Sequence, residues 1–230
     1  MCGIVGYIGK KNAIKVALEG IKRLEYRGYD SSGIVGLHND LSYPFLKKSV
    51  GKIASLESKL SSIPNASCAI AHTRWATHGE PTVANAHPHH CCNKRIFVVH
   101  NGIIENHEFL KGVLTREGHK FVSATDTEVL AHLVERGLGL GNLEDAVRDA
   151  LRHVTGTFGI AVIDSQNPNI LVAARRGSPL LVGVGKDEYF VASDAAAVVS
   201  HTKNVIYLND NEMVVLTPNG FDIFDFSKKK

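Results

Sequence analysis

The stretch Thr157-Phe158-Gly159-Ile160-Ala161-Val162-Ile163-Asp164-Ser165-Gln166-Asn167-Pro168-Asn169-Ile170-Leu171-Val172-Ala173-Ala174 decides the fold class. Two apolar runs, each too short for an ordinary helix and rich in β-branched residues, flank a polar turn at Gln166-Asn167-Pro168-Asn169, which is the pattern of a hairpin. The pattern recurs downstream with turns at Gly185-Lys186-Asp187-Glu188 and Asn209-Asp210-Asn211, so the chain from Thr157 onward reads as antiparallel hairpins with one short helix over 195–200. Upstream, buried strands are expected over 3–8, 33–37, 68–72 and 96–100. Asn12 is placed to cap a helix carrying Ile14, Ala17, Leu18 and Ile21 on one face, and Ile53, Leu56 and Leu60 mark a short amphipathic helix over 53–60. Further helices are expected through Phe109 to Leu114, through Val129 to Val134, and after Asn142 through Ala146, Val147, Ala150 and Leu151. Thr125 and Glu128 have the spacing of a capping box at the start of the middle one, and Asp126 lies in its first turn. Gly137, Gly139 and Gly141 lack both the spacing and the preceding strand of a phosphate loop, and read as a helix end. Strands in clusters and helices in clusters predict a layered α+β domain with largely antiparallel sheets, not a doubly wound nucleotide fold.

The chain has 230 residues, 44% of them hydrophobic, enough for one domain with a sizeable core. Its formal charge of +3 equals the contribution of Lys228-Lys229-Lys230, which leaves little basic surface for a nucleic acid. No run approaches the roughly 18 apolar residues of a membrane-spanning helix, and no basic segment followed by a long apolar core opens the chain. A soluble, cytoplasmic protein with neither nucleic-acid nor membrane partners is expected. Cys2, Cys68, Cys91 and Cys92 do not form a disulfide framework in such a chain, and Cys68 reads as a strand-core thiol. His87, His89 and His90 beside Cys91 and Cys92 are the one stretch where a metal is tempting. The spacing is not that of a zinc knuckle, so the segment reads as a loop and no metal is expected.

The candidate chemistry begins at Cys2, directly after Met1 and before the small apolar run Gly3-Ile4-Val5-Gly6. Loss of Met1 would put a thiol and an α-amine of pKa about 7.7 to 8.0 on one residue, a known way of activating a nucleophile. Three polar segments, two of them directly after expected strands, offer complementary groups. Arg74-Trp75-Ala76-Thr77-His78-Gly79 carries a guanidinium able to clamp a carboxylate through two hydrogen bonds. His100-Asn101-Gly102 is either an ordinary Asn-Gly turn or a side-chain amide and a flexible backbone N–H converging on one oxyanion, whose loss of one donor costs about 3 kcal/mol of barrier. Asp126 could receive an ammonium group. A thiol nucleophile, an oxyanion site, a carboxylate clamp and an ammonium acceptor together describe a site for an amino acid with a side-chain carbonyl, and glutamine meets all four requirements.

At these residues the chain resembles a known family. Met1-Cys2-Gly3-Ile4-Val5-Gly6 is similar to the start of class II glutamine amidotransferases, members of the N-terminal nucleophile hydrolases. Leu24-Glu25-Tyr26-Arg27-Gly28-Tyr29-Asp30-Ser31, His72-Thr73-Arg74-Trp75-Ala76-Thr77-His78-Gly79 and His100-Asn101-Gly102-Ile103-Ile104-Glu105-Asn106 resemble the glucosamine-6-phosphate synthase branch in particular. The resemblance implies a four-layer αββα sandwich over 1–220, with 221–230 the start of a linker or a truncated tail. It implies that Cys2 attacks the amide of L-glutamine, that Asn101 and the Gly102 N–H form the oxyanion hole, and that Arg27 positions the terminus. It further implies that Arg74 binds the substrate carboxylate with Thr77 and His78 beside it, that Asp126 accepts the ammonium, and that Trp75 gates an ammonia channel. No cofactor and no metal are implied. The partner of such a domain is a sugar-phosphate isomerase domain, and nothing in these residues binds fructose 6-phosphate. Self-association stays open, as do two other readings: a different Cys-initiated acylase, which should lack the paired carboxylate and ammonium clamps, and a glutamine-binding module that retains Met1 and does no chemistry.

Overall fold

Strand β1 (Gly3–Gly9) states the architecture in its own residues, because Ile4 and Ile8 are buried on one face and Val5 and Tyr7 on the other. A strand that is apolar on both sides has to be covered on both sides. In the computed structural model, which describes residues 2–38, 40, 43–75 and 79–228, one face of β1 meets helices and the other meets a second sheet. The first sheet runs in the order β11 (Val205–Tyr207), β9 (Leu181–Val184), β10 (Glu188–Ala192), β1, β4 (Cys68–Arg74), β2 (Ser31–Leu37), β3 (Phe45–Val50). The second runs β13 (Gly220–Asp225), β12 (Glu212–Thr217), β8 (Asn167–Arg176), β7 (Gly156–Asp164), β6 (Ile96–Ile104), β5 (His89–His90). Every named strand pair is antiparallel, and the one parallel pairing among the described residues is an isolated bridge from Phe158 to Gly177.

Three apolar layers hold the four structural layers together. Between the sheets, Ile4, Ile8, Val35 and Ile70 pack against Val99, Ala161, Leu171 and Leu216. Gly6 keeps this contact close, since a Cβ there would come within 2.9 Å of a Leu171 methyl. Outside the first sheet, α1 (Ala13–Arg23) and α2 (Ile53–Glu57) bury Ile14, Ala17, Ile21, Ile53 and Leu56. Outside the second, α3 (His107–Arg116), α4 (Glu128–Gly137) and α5 (Leu143–Arg152) bury Leu114, Leu130, Leu133, Val147 and Leu151. The helices start where the sequence says: Asn12 Oδ1 accepts the N–H groups of Ile14 and Lys15, and Asn142 Oδ1 accepts that of Asp145.

Local details differ from the sequence reading for identifiable reasons. The 157–174 hairpin turns on Ser165 and Gln166 alone, and Pro168 sits in β8 at the register break next to Asp164, where its missing N–H costs no ladder bond. The 195–200 helix is a single 3-10 turn over Ala195–Ala197, capped by Asp194. The Thr125 and Glu128 capping box does not form, because the Glu128 carboxylate accepts the N–H groups of Val122 and Ser123 and the Ser123 hydroxyl instead. His89–His90, read as loop, is a short edge strand on β6. Past residue 220 the chain still makes β13 against β12, and Phe226 is buried beside Phe158.

Candidate active site

Antiparallel pairing gathers the site at one end of the sandwich. Where β1 begins, β4 ends and β2 begins, so Gly3 faces Thr73 and Ser31 faces Arg74 across the first sheet. In the second sheet β6 ends where β7 begins, with Gly102 opposite Phe158. A cavity of about 430 Å³ opens at that end, and Cys2, Arg27, Arg74, Trp75, Asn101, Gly102 and Asp126 all line it. Thr77 and His78, expected beside Arg74, lie outside the described residues.

Cys2 is half-buried, and its sulfur accepts the backbone N–H of Trp75 at 3.2 Å. Burial pushes the thiol pKa up, against the downward pull of that N–H, so the resting group is a thiol that needs a base. The Trp75 ring is half exposed and meets Tyr29 edge-on at 5.4 Å. Asn101 and Gly102 do not form a turn; they continue strand β6. Gly102 adopts φ of +134°, and a Cβ there would collide with the Thr157 carbonyl oxygen, so only glycine fits.

The Asn101 side chain is fixed from both ends. Its Nδ2 donates to the Cys2 carbonyl at 2.9 Å, and its Oδ1 accepts from His72 Nε2 at 3.0 Å. His72 Nε2 also faces the His100 carbonyl at 3.1 Å, and since both partners are acceptors the proton sits on Nε2. Burial pushes the His72 pKa down to about 3, so the ring is neutral and stays a donor across the physiological range. His72 stacks on His87 at 4.1 Å, and burial likewise lowers the pKa of His87, His89 and His100.

Asp126 is buried at the loop before α4. Its Oδ2 accepts the Ile104 N–H at 2.8 Å. Thr127 Oγ1 lies 3.3 Å from Asp126 Oδ1 and 2.9 Å from His100 Nδ1. The Thr127 hydroxyl donates to Asp126 Oδ1, and the neutral His100 ring reaches Thr127 Oγ1 through Nδ1 and the Thr157 carbonyl through Nε2 at 3.3 Å. Each Asp126 oxygen thus has one donor, and an ionised carboxylate oxygen can accept a second one from the cavity. Arg74 is buried, with its guanidinium donating to the carbonyls of Gly79 and Glu80 at 3.1 and 3.5 Å. Arg27 pairs with Asp194, which Tyr26 also reaches at 2.9 Å. Asp194 in turn follows Ser193, whose hydroxyl accepts the Ile4 N–H at 3.0 Å.

The expected residues Cys2, Arg27, Arg74, Trp75, Asn101, Gly102 and Asp126 are thus brought together, and the sequence reading missed those that hold them: His72, Thr127, Asp194 and the wall at Ser178 and Pro179. His72 and Asp194 had a local signal, each standing where an expected element meets a polar segment. Ser178 and Pro179 had none.

Residues 72–200 match the model of a glutamine amidotransferase domain family, and the chain belongs to that family. Its four-layer sandwich is the one expected of an N-terminal nucleophile hydrolase. The chain is 50% identical over 97% of its length to glutamine–fructose-6-phosphate aminotransferase [isomerizing] of Chlorobaculum tepidum, and 48% identical over 100% of its length to that of Clostridium tetani. It spans 37% and 38% of those two proteins. Among solved structures it superposes on glutamine phosphoribosylpyrophosphate amidotransferase from B. subtilis with a TM-score of 0.86 at 27% identity, covering 99% of this chain and 50% of that one.

Proposed function

We propose that this chain hydrolyses L-glutamine to L-glutamate and ammonia through a γ-glutamyl thioester on Cys2, in the cytoplasm, and that it is the glutaminase part of a glutamine–fructose-6-phosphate aminotransferase (isomerising). The observation that carries the reading is one cavity lined together by a thiol, an amide donor, a guanidinium and a buried carboxylate. After loss of Met1 the Cys2 α-amine takes the thiol proton, and Sγ bonds to the side-chain carbonyl carbon of glutamine. The carbonyl oxygen becomes an oxyanion between the Gly102 N–H and the second N–H of Asn101 Nδ2, the first being held by the Cys2 carbonyl. Collapse breaks the C–N bond, and the amine returns its proton to the departing ammonia. Water then adds to the thioester, the C–S bond breaks, and glutamate and the Cys2 thiol are regenerated. Arg74 binds the α-carboxylate, Asp126 Oδ1 the α-ammonium, Arg27 the segment that carries Cys2, and Trp75 covers the exit of ammonia. Thr77 and His78, next to Arg74 in the sequence, are the further candidates for binding that carboxylate.

The acceptor follows from the relatives at 48 to 50% identity, whose remaining length would supply the sugar-phosphate isomerase modules. Four unpaired cysteines fit a reducing compartment. The folded unit ends after Phe226 in this reading, because β13 and Phe226 belong to the second sheet and its core. The test is intact mass and ammonia release on chain treated with a diazoketone analogue of glutamine. Loss of Met1, one adduct on Cys2 and abolished glutaminase activity are expected. Full ammonia release from chain that keeps Met1, or that carries no adduct on Cys2, would sink the proposal.

A further inference from the structure

We propose that Cys92, His119, His132 and Glu135 form a zinc site that pins the turn after β5 to the α3–α4 connection and to helix α4. Each offers one ligand atom, and the four atoms lie within 4.8 Å of one another. Cys92 Sγ is 3.8 Å from His132 Nδ1, His132 Nδ1 is 3.4 Å from Glu135 Oε2, and His119 Nδ1 is 3.0 Å from the same oxygen. A tetrahedral zinc with bonds of about 2.0 to 2.3 Å sets its ligand atoms roughly 3.2 to 3.7 Å apart, so these three separations are near those of a loaded site, and the others, none above 4.8 Å, would close by about 1 to 1.5 Å at most. One sulfur, two imidazoles and one carboxylate suit a borderline cation and not the all-oxygen shells of magnesium or calcium. The thiolate and the carboxylate carry two negative charges, which makes the loaded site neutral. None of the four residues lines the glutaminase cavity.

Proton placement gives a second, independent reason. Both imidazole Nδ1 atoms point at one Glu135 oxygen, an arrangement that without a cation requires a proton on each. His132 is fully buried, its Nε2 makes no hydrogen bond, and that nitrogen stands 3.7 Å from Glu128 Oε1. Without a metal the ring needs a proton on both nitrogens to meet Glu135 and Glu128 together, since a proton on Nδ1 alone aims a bare lone pair at the Glu128 carboxylate. With Nδ1 given to a metal the proton moves to Nε2 and faces Glu128, the carboxylate–histidine–metal relation common in zinc proteins. Cys92 Sγ accepts the Lys120 N–H at 3.3 Å, a donor suited to a thiolate, and Cys92 is exposed, which gives the ion a way in. Four protein ligands close the coordination shell, so the role is structural. What the ion would order is the connection from His119 to Asp126, since Glu128 also holds the Val122 and Ser123 N–H groups.

The test uses the full chain with Cys2→Ala, so that the terminal thiol cannot compete for the ion. Chelated protein is titrated with Zn²⁺ and, for a visible signal, with Co²⁺. One equivalent of each is expected, with the intense absorption of tetrahedral Co²⁺ and a thiolate-to-cobalt band. Cys92→Ser should abolish that band, and Cys92→Ser and His119→Gln should each weaken Zn²⁺ binding by more than the roughly 10- to 100-fold that loss of an outer-shell partner costs. Both variants alter residues at the surface or partly exposed, and their metal-free melting should match that of the parent, while only the parent gains Tm from Zn²⁺. Far less than one equivalent bound, an octahedral Co²⁺ spectrum, or a sulfur band that survives in Cys92→Ser would overturn the proposal.

Discussion

Replacing Asn101 by Ala removes a side chain that touches both the Cys2 carbonyl and the buried His72, and its cost can be worked out separately for folding and for catalysis. For folding, the bond from Asn101 Nδ2 to the Cys2 carbonyl at 2.9 Å is lost outright. The bond from His72 Nε2 to Oδ1 is lost too, but that donor keeps the His100 carbonyl at 3.1 Å and is not orphaned. One uncompensated and one compensated hydrogen bond come to about 1 to 2 kcal/mol, and in a domain of this size to a fall in Tm of roughly 2 to 8 °C. For catalysis, loss of one oxyanion donor costs about 100- to 1000-fold in kcat, and the KM for glutamine should hold within about threefold because Arg74 and Asp126 are untouched. The assay is steady-state ammonia release alongside a melting curve. A kcat within tenfold of the parent would refute the oxyanion role. A loss confined to KM would make Asn101 a substrate-binding group, and a kcat that recovers on lowering the temperature would show that the defect is one of folding.

Asp126→Asn keeps an oxygen for the Ile104 N–H, so the fold should survive, but it removes the charge proposed to receive the substrate ammonium. KM for glutamine should rise about 30-fold or more, the equivalent of a 2 kcal/mol buried pairing, and a KM within threefold of the parent would remove Asp126 from the binding site. Acid stability should follow the buried histidines. The folded pKa values of His72, His87, His89 and His100 lie below the ordinary 6.5, so the unfolded chain binds more protons once the pH drops under about 6.5. Their contribution is complete above that pH and is lost as pH falls toward the folded values, about 3 for His72, at about 1.4 kcal/mol per pH unit for each ring that titrates. Urea midpoints at pH 7.5, 6.0 and 5.0 should fall in that order, and equal midpoints would mean that the rings are not held neutral.

What could be read from the sequence follows the range of the interactions. The Asn12 and Asn142 caps are set by residues within four positions of one another and stand where expected. Strands β9 and β10 pair about the expected turn at Gly185-Lys186-Asp187-Glu188, whereas β11 and β12, on either side of Asn209-Asp210-Asn211, lie in different sheets and form no hairpin. Where a long-range partner competes, local reading fails. Glu128 leaves its capping box for the Val122 and Ser123 N–H groups, and Thr125 turns to His89 Nε2 at 3.0 Å. His89 and His90 read as loop because two adjacent polar rings carry no strand pattern, yet pairing with Val98 and Phe97 makes them an edge. The spacing within the cysteine and histidine tract carries no ligand pattern that includes His119, His132 and Glu135, because the fold brings these to Cys92 from 27 residues or more further along.

The site was more legible than the packing around it, and the sheet geometry explains why. A strand crosses the sandwich once, so groups needed at one end must sit at the first or last positions of strands and in the short segments beyond them. Cys2 precedes β1, Arg74 closes β4, Asn101 and Gly102 lie near the end of β6, and Asp126 precedes α4. Each therefore appears in the sequence as a polar group at the edge of an apolar run. Asn101 and Gly102 are the instructive case, because the same dipeptide is a turn signal when the chain reverses after it. Here the reversal is withheld by pairing of Gly102 with Phe158 and Ile104 with Gly156, which continues β6 through Ile104, four residues beyond His100, and holds the Asn101 amide over Cys2. The decision between turn and strand is thus made by β7, more than fifty residues away, and no window around Asn101 contains it.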